Sequence, residues 1–163
     1  MAGSDAFGHV VGLLNYPMYV VTTLAGDEAS GCLVGFATQA SIDPTRFLVG
    51  ISDKNHTYGV ARSAERLVVH VLTTDRLDLA ELFGEGTGDE IDKFSRCDWQ
   101  PGPGGVPVLD GAAAWFSGPI IDIHPLGDHV GFLIEPDSGD VRDRDGMTLM
   151  FRDVDGMDAG HHA

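Results

Sequence analysis

The sequence predicts a mainly β protein, an antiparallel barrel, closed or nearly so, with a few short helices. Three observations carry that expectation. Short runs rich in β-branched and aromatic residues recur along the chain, separated by Gly, Pro and Asp turn signals. The first fifty residues read as a strand meander and not as a βαβ unit. Neither the glycine fingerprint of a dinucleotide-binding βα turn nor a P-loop is present.

The elements follow in order. Ser4 is placed to cap a short helix whose apolar positions Phe7, Val10, Val11 and Leu14 fall at helical spacing, and Pro17 ends it. Met18–Leu24 reads as a strand, the turn segment AGDEASG follows, and Gly31–Ile42 returns as one long second strand. Asp43-Pro44 breaks that strand and Phe47–Ser52 forms a third. Val60, Ala61, Ala64 and Leu67 share a helical face, so a helix is expected from near Thr57, followed by a strand over Leu67–Thr73. Asp75 caps a further helix with Leu79, Leu82 and Phe83 on its apolar face and Gly84 as its stop. An acidic segment ending at Phe94 suggests one more helical turn, and QPGPGGVP reads as a loop. The remainder alternates strand-like runs (AAAWFSGPIIDIH, DHVGFLIEP and MTLMF) with turns, and residues from about 153 form a short surface tail.

The 163 residues are expected to make a single domain, residues 1–163, with one sizeable core. Ten basic against twenty-five acidic residues give a net charge of −15, which disfavours nucleic acid and anionic membranes as partners. Two cysteines without metal-ligand spacing, no export signal and no spanning apolar run point to a reduced, cytoplasmic chain.

The chemistry of hydrolysis finds little support. There is no G-x-S-x-G elbow, Ser41 has no nearby histidine, and Cys32 lies in an apolar neighbourhood where a thiolate is disfavoured. His124 and His129 flank a turn and His161-His162 end the chain, spacings that do not suit a metal site, so none is expected. His70, mid-strand, reads as a satisfied core or face residue. The acids of GDEID (Gly88 to Asp92) fit a solvated helix start better than an acid–base pair.

The uncharged stretch Gly31–Ile42 stands apart. Gly31 and Gly35 would let a ligand approach the backbone, while Thr38, Gln39 and Ser41 offer neutral hydrogen-bonding groups. Beyond the next strand, Ser52–Thr57 brings Lys54, hydroxyls and a helix start, a place for a phosphate. A flat heterocycle with a phosphate would use both halves. A small-residue strand packed against another chain is the alternative.

An ordered series of segments resembles the flavin reductase-like domain family: YPMYVVTTLAGDEASG, GFATQASIDP, NHTYGVARSAERLVVHVL, LAELFG, DKF, GVPVLDGAAAWF and GDHVGFLIE. The resemblance implies an antiparallel split β-barrel of Greek-key type. It further implies a homodimer that binds FMN or FAD and takes hydride from NADH or NADPH. Reduced flavin would then pass to a partner monooxygenase. Carried over by position, it places Gly35, Phe36, Ala37, Thr38 and Gln39 against the flavin ring and ribityl chain. Ser52, Lys54, Asn55 and Thr57 would hold the ribityl and phosphate end, Phe94 would wall the pocket, and His129 would lie beside the nicotinamide as the catalytic neighbour. Gly35 stands where many members carry asparagine and Gln39 where serine is common. Relatives on the same barrel bind flavin, deazaflavin or haem without turnover, which is the alternative the family leaves open.

Overall fold

The computed structural model describes residues 3–85 and 92–157. Its centre is an eight-stranded antiparallel sheet. The strands are β1 (Tyr19–Ala25), β2 (Glu28–Val34), β3 (Ala37–Ser41), β4 (Arg46–Ser52), β5 (Arg66–Val71), a short hairpin of β6 (Trp99–Pro101) and β7 (Pro107–Leu109), then β8 (Ala114–Pro125), β9 (His129–Ile134) and β10 (Ser138–Val141). Spatial order in the main sheet is β2-β1-β5-β8-β9-β4-β3, with β10 also paired to β8. The expected split barrel is what forms.

β8 joins the two halves. Residues 114–119 pair with β5, whereas residues 120–125 pair with β9, and the register shifts between Ile120 and Asp122. Inward residues of both halves meet in one core that includes Val21, Val34, Val49, Ile51, Leu67, Val69, Phe132 and Ile134. Alternation along each strand makes this possible: Val49 and Ile51 turn in while Leu48 and Gly50 turn out.

Several elements differ from expectation for identifiable reasons. Gly31–Ile42 is not one strand. It leaves the ladder at Gly35-Phe36, with β2 paired to β1 and β3 paired to β4, so this segment carries the chain from one half-sheet to the other. A cis Asp43–Pro44 bond lies in the turn between β3 and β4. The helix near Thr57, α2, spans only His56–Ala61 and is capped by Asn55. Asp75 belongs to a short 3-10 turn, and the helix beyond it (Leu77–Glu85, α3) runs through Gly84, where an added Cβ would strike Leu33 and Met157. QPGPGGVP is the β6–β7 hairpin instead of an open loop. MTLMF makes only isolated bridges at Thr148 and Met150 before a short helix, Phe151–Val154. Val154 is buried and Met157 packs on a second core cluster, which includes Met18, Val20, Leu72, Leu79, Phe83 and Leu149, so the segment expected as a tail from about 153 is docked as far as 157. Most of the acidic segment, residues 86–91, and the terminal histidine pair lie outside the described residues.

The N-terminal helix α1 (Gly3–Gly12) buries none of its residues. Phe7 and Leu13, just past its end, are 71% and 74% exposed.

His70 is satisfied in the core, as its pattern suggests. Leu109 N–H donates to its Nε2 at 3.1 Å, so Nδ1 carries the proton and donates to the Val20 carbonyl at 2.9 Å. This neutral ring ties β7 to the barrel, helped by Thr22 Oγ1 donating to the Pro107 carbonyl at 2.6 Å. Burial pushes its pKa from 6.5 down to about 4. The unfolded chain therefore binds the proton first, and stability present above pH 6.5 is lost as pH falls towards 4. Urea midpoints should reveal about 2 kcal/mol of lost stability from this residue by pH 5. A His70→Gln variant should lose that part of the pH slope, and an unchanged slope would remove His70 as its source.

Candidate functional site

A pocket of about 440 Å³ opens on the outer face of the β3-β4-β9 sheet, lined by Phe36, Ala37, Thr38, Leu48, Gly50, Leu126, Asp128 and His129. It lies where three chain segments meet. The first is the crossover at Phe36, whose carbonyl accepts from Gly50 N at 2.7 Å. The second is the turn between β8 and β9, where Gly127 takes φ +150° and Leu126 N donates to the His129 carbonyl at 2.9 Å. The third is the Ser52–Asn55 loop. Ser52 is the Cα partner of His129, and Asp53 N donates to the Asp128 carbonyl at 3.0 Å.

Two glycines let the pocket's walls sit close to the sheet. Gly50 and Gly131 are cross-strand partners facing the same outer side, and a Cβ at Gly50 would stand 3.2 Å from the Phe36 carbonyl oxygen and 3.3 Å from Phe36 Cβ. A Cβ at Gly131 would stand 3.1 Å from Leu48 Cδ1 and 3.2 Å from Leu126 Cδ1, and so would intrude between two side chains that line the pocket. The missing Cβ atoms thus admit Phe36, Leu48 and Leu126 to the sheet, and the pocket opens among these three and Thr38 and His129.

His129 Nδ1 donates to Asp128 Oδ1 at 2.8 Å. That bond holds the Asp128 carboxyl below the usual carboxylate range and leaves His129 Nε2 as the ring's free nitrogen. His129 is only 17% exposed at its side chain, and the Phe36 ring stands 4.8 Å from it, tilted by 54°. Lys54 adds positive charge at the Asp128 edge.

The structure thus gathers Phe36, Ala37, Thr38 and His129 in one place, with Ser52, Lys54 and Asn55 in the adjoining loop. Other expected residues stand elsewhere. Gly35 faces protein: an added Cβ would be 2.7 Å from the Tyr16 ring and 2.9 Å from Met18 Sδ. Gly31 likewise makes room for Phe83. These two glycines answer to internal rings and not to an approaching ligand. Gln39 alternates to the other face from Thr38 and donates to the Ser41 carbonyl at 3.2 Å. Thr57 is 1% exposed, its hydroxyl hydrogen-bonded to Ser30 at 2.8 Å, while its N–H donates to the capping Asn55. Phe94 packs between Phe83 and Trp99 in the second core cluster, away from this pocket within the chain. Cys32 is fully buried, which pushes its thiol up to about 11, so it is inert as a nucleophile.

Leu48, Gly50, Leu126 and Asp128 line the pocket without having been singled out as site residues. The outward half of β4 was readable by alternation, and Asp128 stands inside the Gly127-Asp128-His129 triplet. The Gly50–Gly131 pairing needed the register.

A larger cleft of about 780 Å³ runs along α3 beside Arg76, Asp78, Glu81, Arg96 and Asp98. It shares no residue with the three segments above and is lined mostly by charges that solvate well.

The model of the flavin reductase like domain matches residues 11–158. The reductase subunit HsaB of a flavin-dependent monooxygenase from Mycobacterium tuberculosis is 30% identical over 127 residues, 76% of this chain and 64% of that protein. The stachydrine N-demethylase reductase subunit Stc3 of Rhizobium meliloti is 30% identical over 114 residues, 68% of this chain and 48% of that one. The chain therefore spans about half to two thirds of the length of these curated relatives, and 36% of a further Rhizobium meliloti relative. Among solved structures, the FMN-binding protein of Thermus thermophilus with bound p-hydroxybenzaldehyde superposes with a TM-score of 0.78 at 26% identity, covering 84% of this chain and 81% of that one. With its split barrel and a family match over most of its length, the chain belongs to the flavin reductase like domain family.

Proposed function

We propose that the chain is an NAD(P)H-dependent flavin reductase, a single domain that supplies reduced FMN or FAD to a partner flavin-dependent monooxygenase. The observation that carries this is the Asp128–His129 pair at the end of a pocket walled by Phe36, Thr38, Leu48 and Leu126. The relatives named as reductase subunits support the same reading.

The residues fit a flavin. The ring would lie in the pocket against Phe36, Leu48 and Leu126, Ala37 and Thr38 would edge it, and Ser52, Lys54 and Asn55 would receive the ribityl and phosphate end. Thr57 would act from behind by fixing the Asn55 cap. When bound, flavin supplies the capacity to accept a hydride from dihydronicotinamide and to hand the electrons on. The protein's part is placement. The apolar walls place the ring and limit water, and Asp128 holds the His129 ring proton on Nδ1 and leaves Nε2 as the acceptor.

We also infer a homodimer, since α1 and Ile42 (83% exposed) leave apolar surface that a second copy would cover. A solution mass of twice 17.3 kDa is its check.

The test of function is NADH and NADPH consumption at ~340 nm, the reduced-nicotinamide absorbance, with and without added FMN or FAD. Flavin-dependent consumption is expected. Tight flavin binding without consumption would instead support a non-catalytic binding protein, a reading favoured by the likeness to the Thermus FMN-binding protein.

A further inference from the structure

We propose that Tyr16 is a positioning residue for the pocket, a wedge held by the C-terminal segment that sets where the Gly35-Phe36 crossover, and with it the Phe36 wall, stands. That this wall serves a flavin rests on the reading above.

The crossover has little of its own to hold it. The β1–β2 ladder ends at Val34 and the β3–β4 ladder begins at Ala37, so Gly35 and Phe36 belong to neither. Two contacts fix them. In the first, Gly50 N donates to the Phe36 carbonyl at 2.7 Å. The second is made by Tyr16 and Met18: an added Cβ at Gly35 would be 2.7 Å from Tyr16 Cε2 and 2.9 Å from Met18 Sδ. Ring and sulfur therefore lie directly on the Gly35 backbone, and the crossover cannot move towards them. The absence of a side chain at Gly35 is what lets the ring come this close.

Tyr16 is held in turn by the end of the chain. Its carbonyl accepts from Phe151 N at 2.8 Å, and its ring stacks on Phe151 at 4.9 Å and 17°. Pro17 bridges to Met150, and Met18 N donates to the Leu149 carbonyl at 3.0 Å. Leu149 and Val154 are buried in the second core cluster, so this short pairing is anchored. The helix before Tyr16, α1, buries no residue and gives no such hold. Support thus runs from Phe151 to Tyr16, to Gly35 and to Phe36, and neither Phe151 nor Tyr16 lines the pocket itself. Close-packed groups pass a displacement on instead of absorbing it. The Phe36 ring stands 4.8 Å from His129, so a displaced crossover also takes away the histidine's aromatic neighbour.

The experiment compares Tyr16→Ala, Tyr16→Phe and Phe151→Ala with the parent protein. Val108→Ala, in the separate cluster of Val68, Val106 and Val108, controls for general loss of stability. Amide hydrogen exchange of the ligand-free protein reads the Gly50 N–H that is bonded to Phe36, and fluorescence titration reads FMN affinity. Tyr16→Ala should speed Gly50 exchange about tenfold beyond any change at Val69 in β5, and weaken FMN about fivefold. Phe151→Ala should move both in the same direction by less, and it carries the test if Tyr16→Ala does not fold. Tyr16→Phe, which keeps the ring, should restore both values. Gly50 exchange that changes no more than Val69 overturns the proposal. So does faster exchange at Gly50 with unchanged FMN affinity, or an equal selective effect from Val108→Ala. A parent protein that binds no FMN removes the flavin reading, and Gly50 exchange alone then decides whether Tyr16 holds the wall.

Discussion

His129→Ala is expected to slow hydride transfer to flavin by about a hundredfold, the usual scale for removing a positioned proton-active group. Flavin affinity should change far less, because His129 stands at the end of the pocket. The geometry makes the residue specific: His129 lines the pocket, and the 2.8 Å bond to the Asp128 carboxylate fixes the ring proton on Nδ1 and leaves Nε2 as the acceptor. Asp128→Asn should give a smaller loss in the same direction, since an amide can still hold the ring but leaves its tautomer undecided. Stopped-flow reduction of bound flavin separates the two effects. A collapse of flavin affinity with normal turnover per bound flavin would make His129 a binding residue and end this assignment.

The largest stability effect should come from a residue with no side chain at all. Gly118 lies in β8 at the point where its partner changes from β5 to β9, and a Cβ there would land on the Glu135 carbonyl. Glu135 N donates to the Pro119 carbonyl at 3.1 Å and Asp137 N to the Ser117 carbonyl at 2.8 Å, so that backbone is held on both sides. The neighbour is main chain and cannot rotate away. Gly118→Ala should therefore cost about 3 kcal/mol or more, the upper end of overpacking effects, and lower the thermal midpoint by several degrees or prevent folding. A Gly59→Ala control, inside α2 with nothing within 4 Å of its Cβ, should keep or slightly raise the midpoint, because alanine favours the helix. Equal midpoints for both variants would mean that Glu135–Pro136 can shift.

The sequence carried the β class and most strand positions because alternation and turn residues are local signals. Met18–Leu24 and Phe47–Ser52 were legible for that reason. It could not show that Gly31–Ile42 divides, because what divides it is pairing with two different partners far along the chain. The same limit explains the glycines. Gly35 reads as an opening for a ligand until Tyr16, nineteen residues upstream, is seen to fill it. His129 and Thr38 were legible through the ordered family segments, whereas the Gly50–Gly131 pairing depends on register alone. Thr57 and Phe94 pack inside the chain, away from the pocket, which residue type alone does not show because it does not tell which face a side chain takes.

The strand β8 also sets a sequence of events for the nascent chain. By the time residue 113 has left the ribosome, β1, β2 and β5 can pair, and so can β3 and β4, yet no ladder joins the two groups. Their apolar faces and the open edges of β5 and β4 stay available for wrong partners until residues 114–134 arrive. Closure then comes late and from one hairpin, which joins both groups in a single step.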